Sequence, residues 1–358
     1  MALSGGGTLS IFDTSLASRG IVEYGLDNAY EQVKAVLDAH NAQVNGMLGE
    51  LCEDSPDYLR SYGGDSGIVM QTIEEFGAAE GQKIVERVNI GFPLEHFEVS
   101  LQHTREYLQH ATLGDLSKDV NGALDADLRN TRYLIQTAVF NDDNATWVDR
   151  RDRSLGLSLP LKAWYNADSG PVAVGPNGES FDGATHTHFI ANTSVTNANL
   201  QALLDKVAEH GTLGGQGLRL YINIAHEATV RGFADFVAHI GVDLIKSPMD
   251  INTPTALTYT NRYDRSIGQF QGAEVWVKSW MPANYLFAFN VLGMDKPLLR
   301  RIPKIGNGDL RIIGESDMFP LHAKVWGRDI GISVWNRANG AVWYTASGSY
   351  AEPTLSRA

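Results

Sequence analysis

The stretch 318-MFPLHAKVWGRDIGISVWNRANGAVWYTAS-347 decides how this chain is read. Apolar and aromatic residues crowd it, and Gly327, Gly331 and Gly340 interrupt it. Sheet formers broken by glycine predict two or three short strands joined by tight turns. The stretch holds no nucleophile–base pair, no metal quartet and no phosphate loop. A segment rich in sheet formers and poor in reactive groups points to architecture.

Working outward, 267-IGQFQGAEVWVKSWMPANYLFAF-289 and 297-PLLRRIPK-304 continue the strand-like pattern. Before them the periodicity alternates. Asn197 opens a helix carrying Leu200, Leu203, Leu204 and Val207, which stops at Gly211. The strand 218-LRLYINI-224 follows, then a helix over about 226–238 and the strand 242-VDLI-245. Residues 149–195 read as irregular, with turns at 170-GPVAVGPNGES-180. Residues 115–140 give the clearest helix, with Asp115 as its N-cap; at 1.5 Å per residue it would be roughly 40 Å long. From Leu26 to Leu51, Val33, Val36, Leu37, Val44, Met47, Leu48 and Leu51 form one stripe. Glu23, Asp27, Glu31, Asp38, Glu50, Glu53, Asp54 and Asp57 surround it, countered by Lys34. They make a solvated face or, as a set, a surface for a basic patch on a neighbour. Between these helices, 68-IVMQTIEEF-76 and 82-QKIVERVNI-90 predict a hairpin turning at 77–81. A two-stranded ribbon is marginal alone, so it must lie on something else. Residues 1–20, rich in Gly, Ser and Thr, predict an extended arm needing an external partner.

The 358 residues carry 29 Lys and Arg against 42 Asp and Glu, a formal charge of −13. That argues against tight, non-specific wrapping of nucleic acid, which needs a basic face, and leaves room for a local basic patch. One cysteine, Cys52, excludes an internal disulfide framework and any multi-cysteine zinc site. No secretory signal opens the chain, and no apolar run reaches the roughly 20 residues that span a bilayer.

The motifs that look chemical are incomplete. Gly64-Asp65-Ser66-Gly67 matches a serine-protease string, but only His40 precedes it; a turn is the better reading. His226-Glu227 starts an HExxH-like string whose second histidine is Val230. His186 and His188 would share one strand face and could hold a metal, but a third ligand is not evident nearby. His96, His103 and His110, seven apart, would fall on one side of a helix. The loop 211-GTLGGQG-217 precedes a strand, the wrong order for a phosphate cradle. In 296-KPLLRRIPK-304, Lys296, Arg300, Arg301 and Lys304 form a small basic run; nucleic acid is one candidate partner, though the run lacks aromatic interleaving, and the acids of a neighbouring copy suit it as well. Trp276, Trp280, Trp326, Trp335 and Trp343 suit either a core or a subunit contact.

In order, an arm, an acidic helix, a protruding hairpin, a long helix, an α/β unit and a strand-rich close resemble the major capsid protein of tailed double-stranded DNA phages. That shell fold is shared with encapsulins and the floor of herpesvirus capsids. In wording, the likeness rests on 267–289, 297–304 and 318–347: a "G-x-x-V" strand start, a "-MP-" turn, then an "fP-x-x-a … G-x-G-v … R-x-x-g-A-v" run.

The resemblance implies an α+β tailed-phage capsid shell fold with five parts. Residues 1–61 would be the N-terminal arm with its acidic helix, and 62–95 the extended hairpin loop. Residues 96–196 would form the peripheral domain with spine helix 115–140, and 197–265 the axial domain. Residues 266–358 would be the return that completes both. It implies a structural, non-enzymatic virion protein without cofactor or metal, assembled through hexamers and pentamers into an icosahedral capsid around double-stranded DNA. Assembly would occur in the host cytoplasm, with no membrane and no sequence-specific DNA binding. Scaffolding, portal and decoration proteins are further expected partners; with no long charged leader before the arm, a separate scaffolding protein or none is expected. Contact candidates are Glu75, Phe76, Glu80, Lys83, Arg87, Lys296, Arg300, Arg301 and Lys304. A family cross-link would join Lys83 to Asn336 or Asn339. The competing readings are an encapsulin-like compartment and a metal-dependent hydrolase using His186 and His188.

Overall fold

The computed structural model describes residues 16–63, 68, 70–82, 87–149, 157–211, 217–238, 262–293, 295–318 and 321–357. The arm before residue 16, the 64–67 turn, most of the glycine-rich loop and the expected strand 242–245 lie outside them.

The closing stretch corrects the expectation of short strands. Leu321–Val334 is one strand of 14 residues. Its glycines do not turn the chain. They let backbone approach: a Cβ on Gly331 would lie 1.9 Å from the Pro93 carbonyl oxygen, and one on Gly327 2.7 Å from the Ile313 side chain. Gly340, beyond the strand, gives the same room to the Trp164 ring, 2.7 Å from its would-be Cβ. The long strand organises a five-stranded sheet. Antiparallel to it run Glu95–Thr104, Arg311–Met318 and Leu298–Arg301, and Cys52–Ser55 adds in parallel to Leu298–Arg301.

A second sheet has seven strands, in the order Phe189–Ala191, Ala341–Tyr344, Tyr285–Asn290, Leu218–Ile222, Ala273–Val277, Arg265–Phe270 and Phe236–Ala238. Tyr285–Asn290 is buried at every position. Period-2 alternation explains how both faces can be apolar. Leu286 and Ala288 join Leu220, Ile222 and Trp343 under the helix Asn197–Ala208. Tyr285, Phe287 and Phe289 face the other way. There they meet Tyr221, Val342 and the ends of two long helices.

Those helices are Leu26–Leu51 and Leu113–Phe140. Val44, Leu48, Leu51, Ile135, Val139 and Phe140 reach a core that also takes Leu298, Ile330, Ile332 and Val334 of the first sheet. Their other halves pack Val33, Val36 and Leu37 against Leu116, Val120, Leu124 and Trp326. The N-cap of the longer helix is Thr112 rather than Asp115. Asp115 is its third residue and closes a capping box: Thr112 Oγ1 accepts from Asp115 N at 3.3 Å, and Asp115 Oδ2 accepts from Thr112 N at 3.2 Å. A buried polar node ties the helices to the long strand. His40 Nε2 lies 2.8 Å from Asp127 Oδ2, and Arg328 Nε is 2.8 Å from Asp127 Oδ1.

Two helical expectations fail. The stretch 226–238 becomes a 3-10 turn at Ile224–His226, a short helix Glu227–Arg231 and the strand Phe236–Ala238. Glu227 is held by Arg265 at 2.7 Å and Arg231 at 2.9 Å, so it stabilises a bend. His96 and His103 lie in the strand Glu95–Thr104 and His110 in a short helix, Arg105–His110. Spacing of seven cannot distinguish a helix face from a strand followed by a turn. Among the described residues no helix is long and apolar enough to cross a membrane.

Candidate functional site

Among the described residues the strand pairing lies at the base of the expected hairpin, and its first strand precedes the 68–76 run. Leu59–Gly63 pairs antiparallel with Arg87–Gly91, from Leu59↔Gly91 to Gly63↔Arg87. The base is anchored. Tyr62 and Phe92 pack edge-on against Trp335, the Tyr62 hydroxyl lies 3.1 Å from that of Tyr165, and Arg60 covers the Trp335 ring. Beyond it, residues 68 and 70–82 form no strand, and the turn sits at Glu75-Phe76 instead of 77–81. It is closed locally by Gly77 N donating to Glu74 O at 2.9 Å and Glu80 N donating to Gln71 Oε1 at 2.8 Å. Met70 and Phe76 are almost fully exposed, at 102% and 96%, and Ile68 and Ile73 are exposed with them. Glu75, Glu80 and Arg87 are exposed as well, while Lys83 lies outside the described residues.

The basic run does not present four cations to solvent. Lys304 is exposed and Lys296 half-buried. Arg300 is buried, its guanidinium bridging to both Asp54 oxygens and donating to Asn45 Oδ1 at 2.6 Å. Arg301 donates to the Phe92 carbonyl at 2.9 Å and lies 3.8 Å from Asp149. Both arginines therefore tie elements of their own subunit together. Asn339 is buried; its side chain accepts from Asn290 N and donates to the Asn290 and Asp295 carbonyls. Asn336 is half-buried, with its oxygen facing Tyr62 and Ala338. Of the tryptophans, Trp280, Trp326 and Trp343 are core, while Trp276 and Trp335 are half-covered.

The acidic helix divides similarly. Glu23, Asp27, Glu31 and Asp38 are exposed. Glu50 points inward. Burial would raise its pKa, but hydrogen bonds from Tyr221 and Lys278 and the charges of Lys278 and Arg219 hold it below the usual carboxylate range.

No family model matches the chain, and no curated protein matches it. A solved structure described as Mycobacterium phage Patience is similar over 94% of this chain and 93% of that one, with 21% identity and a TM-score of 0.64. The chain has the tailed-phage capsid shell fold. More distant are the capsid of a native GTA particle, over 85% and 90% of the two chains at 12% identity and TM-score 0.49, and the holo-SrpI encapsulin complex from Synechococcus elongatus, over 87% and 91% at 10% and 0.43.

One grouping was not visible in the sequence. His186 and His188 are joined by Glu209 and His210, the four ligand atoms lying within 4.8 Å of one another. The third and fourth donors follow one another just past the helix Asn197–Ala208, His210 lying 24 residues downstream of His186. The only signal was a Glu-His pair at a predicted helix stop, which does not say what it faces.

Proposed function

We propose that this chain is the structural subunit of a virion shell, assembling through hexamers and pentamers into an icosahedral capsid around double-stranded DNA. The observation that supports the proposal is that residues 68 and 70–82 are uncovered among the described residues, on a chain whose fold is that of tailed-phage shells. Covering Ile68, Met70, Ile73 and Phe76 would each contribute about 1.5–3 kcal/mol. A free subunit forgoes this; a second copy lying under the loop would recover it. Closure of rings then multiplies each contact and leaves no open edge.

In this reading residues 1–61 are the arm with its acidic helix, 62–95 the extended loop and 96–196 the peripheral domain. Residues 197–265 form the axial domain, and 266–358 are the return. The exposed acids Glu23, Asp27, Glu31, Asp38, Glu75 and Glu80 meet Lys296 and Lys304 of neighbours. Arg300 and Arg301 act by holding the sheet edge in place. The protein works in the virion capsid after assembly in the host cytoplasm, with scaffolding, portal and decoration proteins as additional partners, and its role is mechanical.

Negative-stain microscopy of the expressed protein tests this. Wild type should give closed shells, while deletion of 76–82 or Phe76→Asp should give soluble subunits without shells. Normal particles from both variants would refute the extended-loop contact. Nucleic acid inside particles from infected cells is expected; a protein cargo there would instead indicate a compartment of the encapsulin type. A denaturing gel of particles reads the Lys83 cross-link to Asn336 or Asn339 as a ladder of joined subunits.

A further inference from the structure

We propose that His186, His188, His210 and Glu209 form a structural zinc site inside each subunit. His186 Nε2 lies 2.9 Å from His210 Nε2 and 3.1 Å from His188 Nε2. Glu209 Oε1 lies 3.6, 3.7 and 3.8 Å from the Nε2 atoms of His186, His188 and His210. Ligands of a tetrahedral zinc at about 2.0–2.1 Å stand roughly 3.3 Å apart, and the observed separations bracket that value.

Hydrogen bonding fixes which nitrogens are free. His188 Nδ1 lies 2.7 Å from the Gly340 carbonyl oxygen, and His210 Nδ1 2.9 Å from that of Ala173. A carbonyl only accepts, so both Nδ1 atoms carry the proton and both Nε2 atoms present lone pairs. These lone pairs converge on a third nitrogen, His186 Nε2, which can donate to one of them at most. Hydrogen bonds alone leave this centre short of protons; a divalent cation satisfies all three nitrogens and the carboxylate together. Imidazoles whose far nitrogen is held by a carbonyl are oriented as zinc ligands require.

The surroundings agree. His188 is fully buried and His186 nearly so. Rings of Tyr165 and Phe181 wall the cluster at 4.6–5.4 Å centroid separations. Burial holds His186 and His210 down at about 4, and His188 well below its usual value, so all three are neutral and competent to ligate at pH 7. Glu209 is pushed up by burial, a cost that a bound cation offsets. Lys206 Nζ sits 3.2 Å from Glu209 Oε1, and its side chain is 31% exposed, so it can swing to solvent as a cation enters.

Three imidazoles and a carboxylate favour zinc among the available divalent ions. All four positions come from protein, which leaves no open site for a reacting water. The site therefore joins parts. It pins the chain before Phe189–Ala191 to the end of Asn197–Ala208, and through Ala173 and Gly340 it orders the irregular 164–188 segment and the turn before Ala341–Tyr344.

Metal analysis of full-length protein, purified from zinc-supplemented medium, decides the matter. About one zinc per subunit is expected, with thermal melting lowered by chelator and restored by adding zinc back. Cobalt in its place should show the visible absorption of a four-coordinate ion. His210→Ala should lower zinc affinity by about tenfold or more, while His226→Ala, a histidine outside the cluster, should keep the metal. Wild-type protein that takes no zinc from a chromophoric chelator would overturn the proposal, as would equal zinc in wild type and His210→Ala. If His210→Ala does not fold, the wild-type titration and cobalt spectrum still decide. Wild-type protein that takes up no zinc yet forms shells would remove the metal site and leave the capsid reading intact.

Discussion

The segments 285-YLFAFN-290 and 68-IVMQTIEEF-76 both contain sheet-forming apolar residues, and they meet opposite fates. The first is buried at every position between two apolar layers, one under the helix Asn197–Ala208 and the other against the two long helices. Among its described residues the second has no strand, and it leaves Met70 and Phe76 bare. Composition does not separate them. Coverage does: the chain folds its helices back over the first, and among the described residues nothing covers Met70 and Phe76 of the second. In the proposed reading the missing cover comes from a second copy, and this is why the contrast bears on function.

Four substitutions break or sharpen the contrast. Phe287, fully buried between Trp164, Tyr221 and Phe289, should show the largest effect on the subunit itself. Phe287→Ala is expected to cost about 3–5 kcal/mol, read by urea titration of unassembled subunits. Gly331→Ala drives a methyl into the Pro93 carbonyl and should cost about 1–3 kcal/mol by the same titration. Thr112→Ala removes the cap of the long helix, and a loss of about 1 kcal/mol is expected in thermal melting. Phe76→Ser should change subunit stability by less than about 0.5 kcal/mol, yet sharply reduce shell yield in the micrograph. A Phe76→Ser subunit that melts several degrees lower would mean the loop folds onto its own body, and the contrast would collapse.

Much of the fold was legible because burial leaves a period. The stripe from Val33 to Leu51 gave the helix Leu26–Leu51 its bounds, and Leu200, Leu203, Leu204 and Val207 gave the next unit its cover. Legibility ended where a residue's meaning depends on what another segment brings. Gly327 and Gly331 read as turns, because sequence cannot show that Ile313 and Pro93 press on them. The run 296–304 read as a basic patch, yet the fully buried Leu298 and Leu299 put Arg300 beside Asp54 of the parallel neighbour strand. His186 and His188 read as a pair missing partners, because Glu209 and His210 arrive only when the helix end docks on the irregular loop.

The strand Leu321–Val334 has a consequence for force. Ten consecutive residues of it, Leu321 to Ile330, are matched rung for rung with Glu95–Thr104. A pull along that axis loads every rung at once, so none yields before its neighbours. At the base of the loop only five pairs join Leu59–Gly63 to Arg87–Gly91, and a tug on the tip would peel them one by one. Under tension, the fold would hold its shape through the ten-rung ladder and give first at the five-pair one.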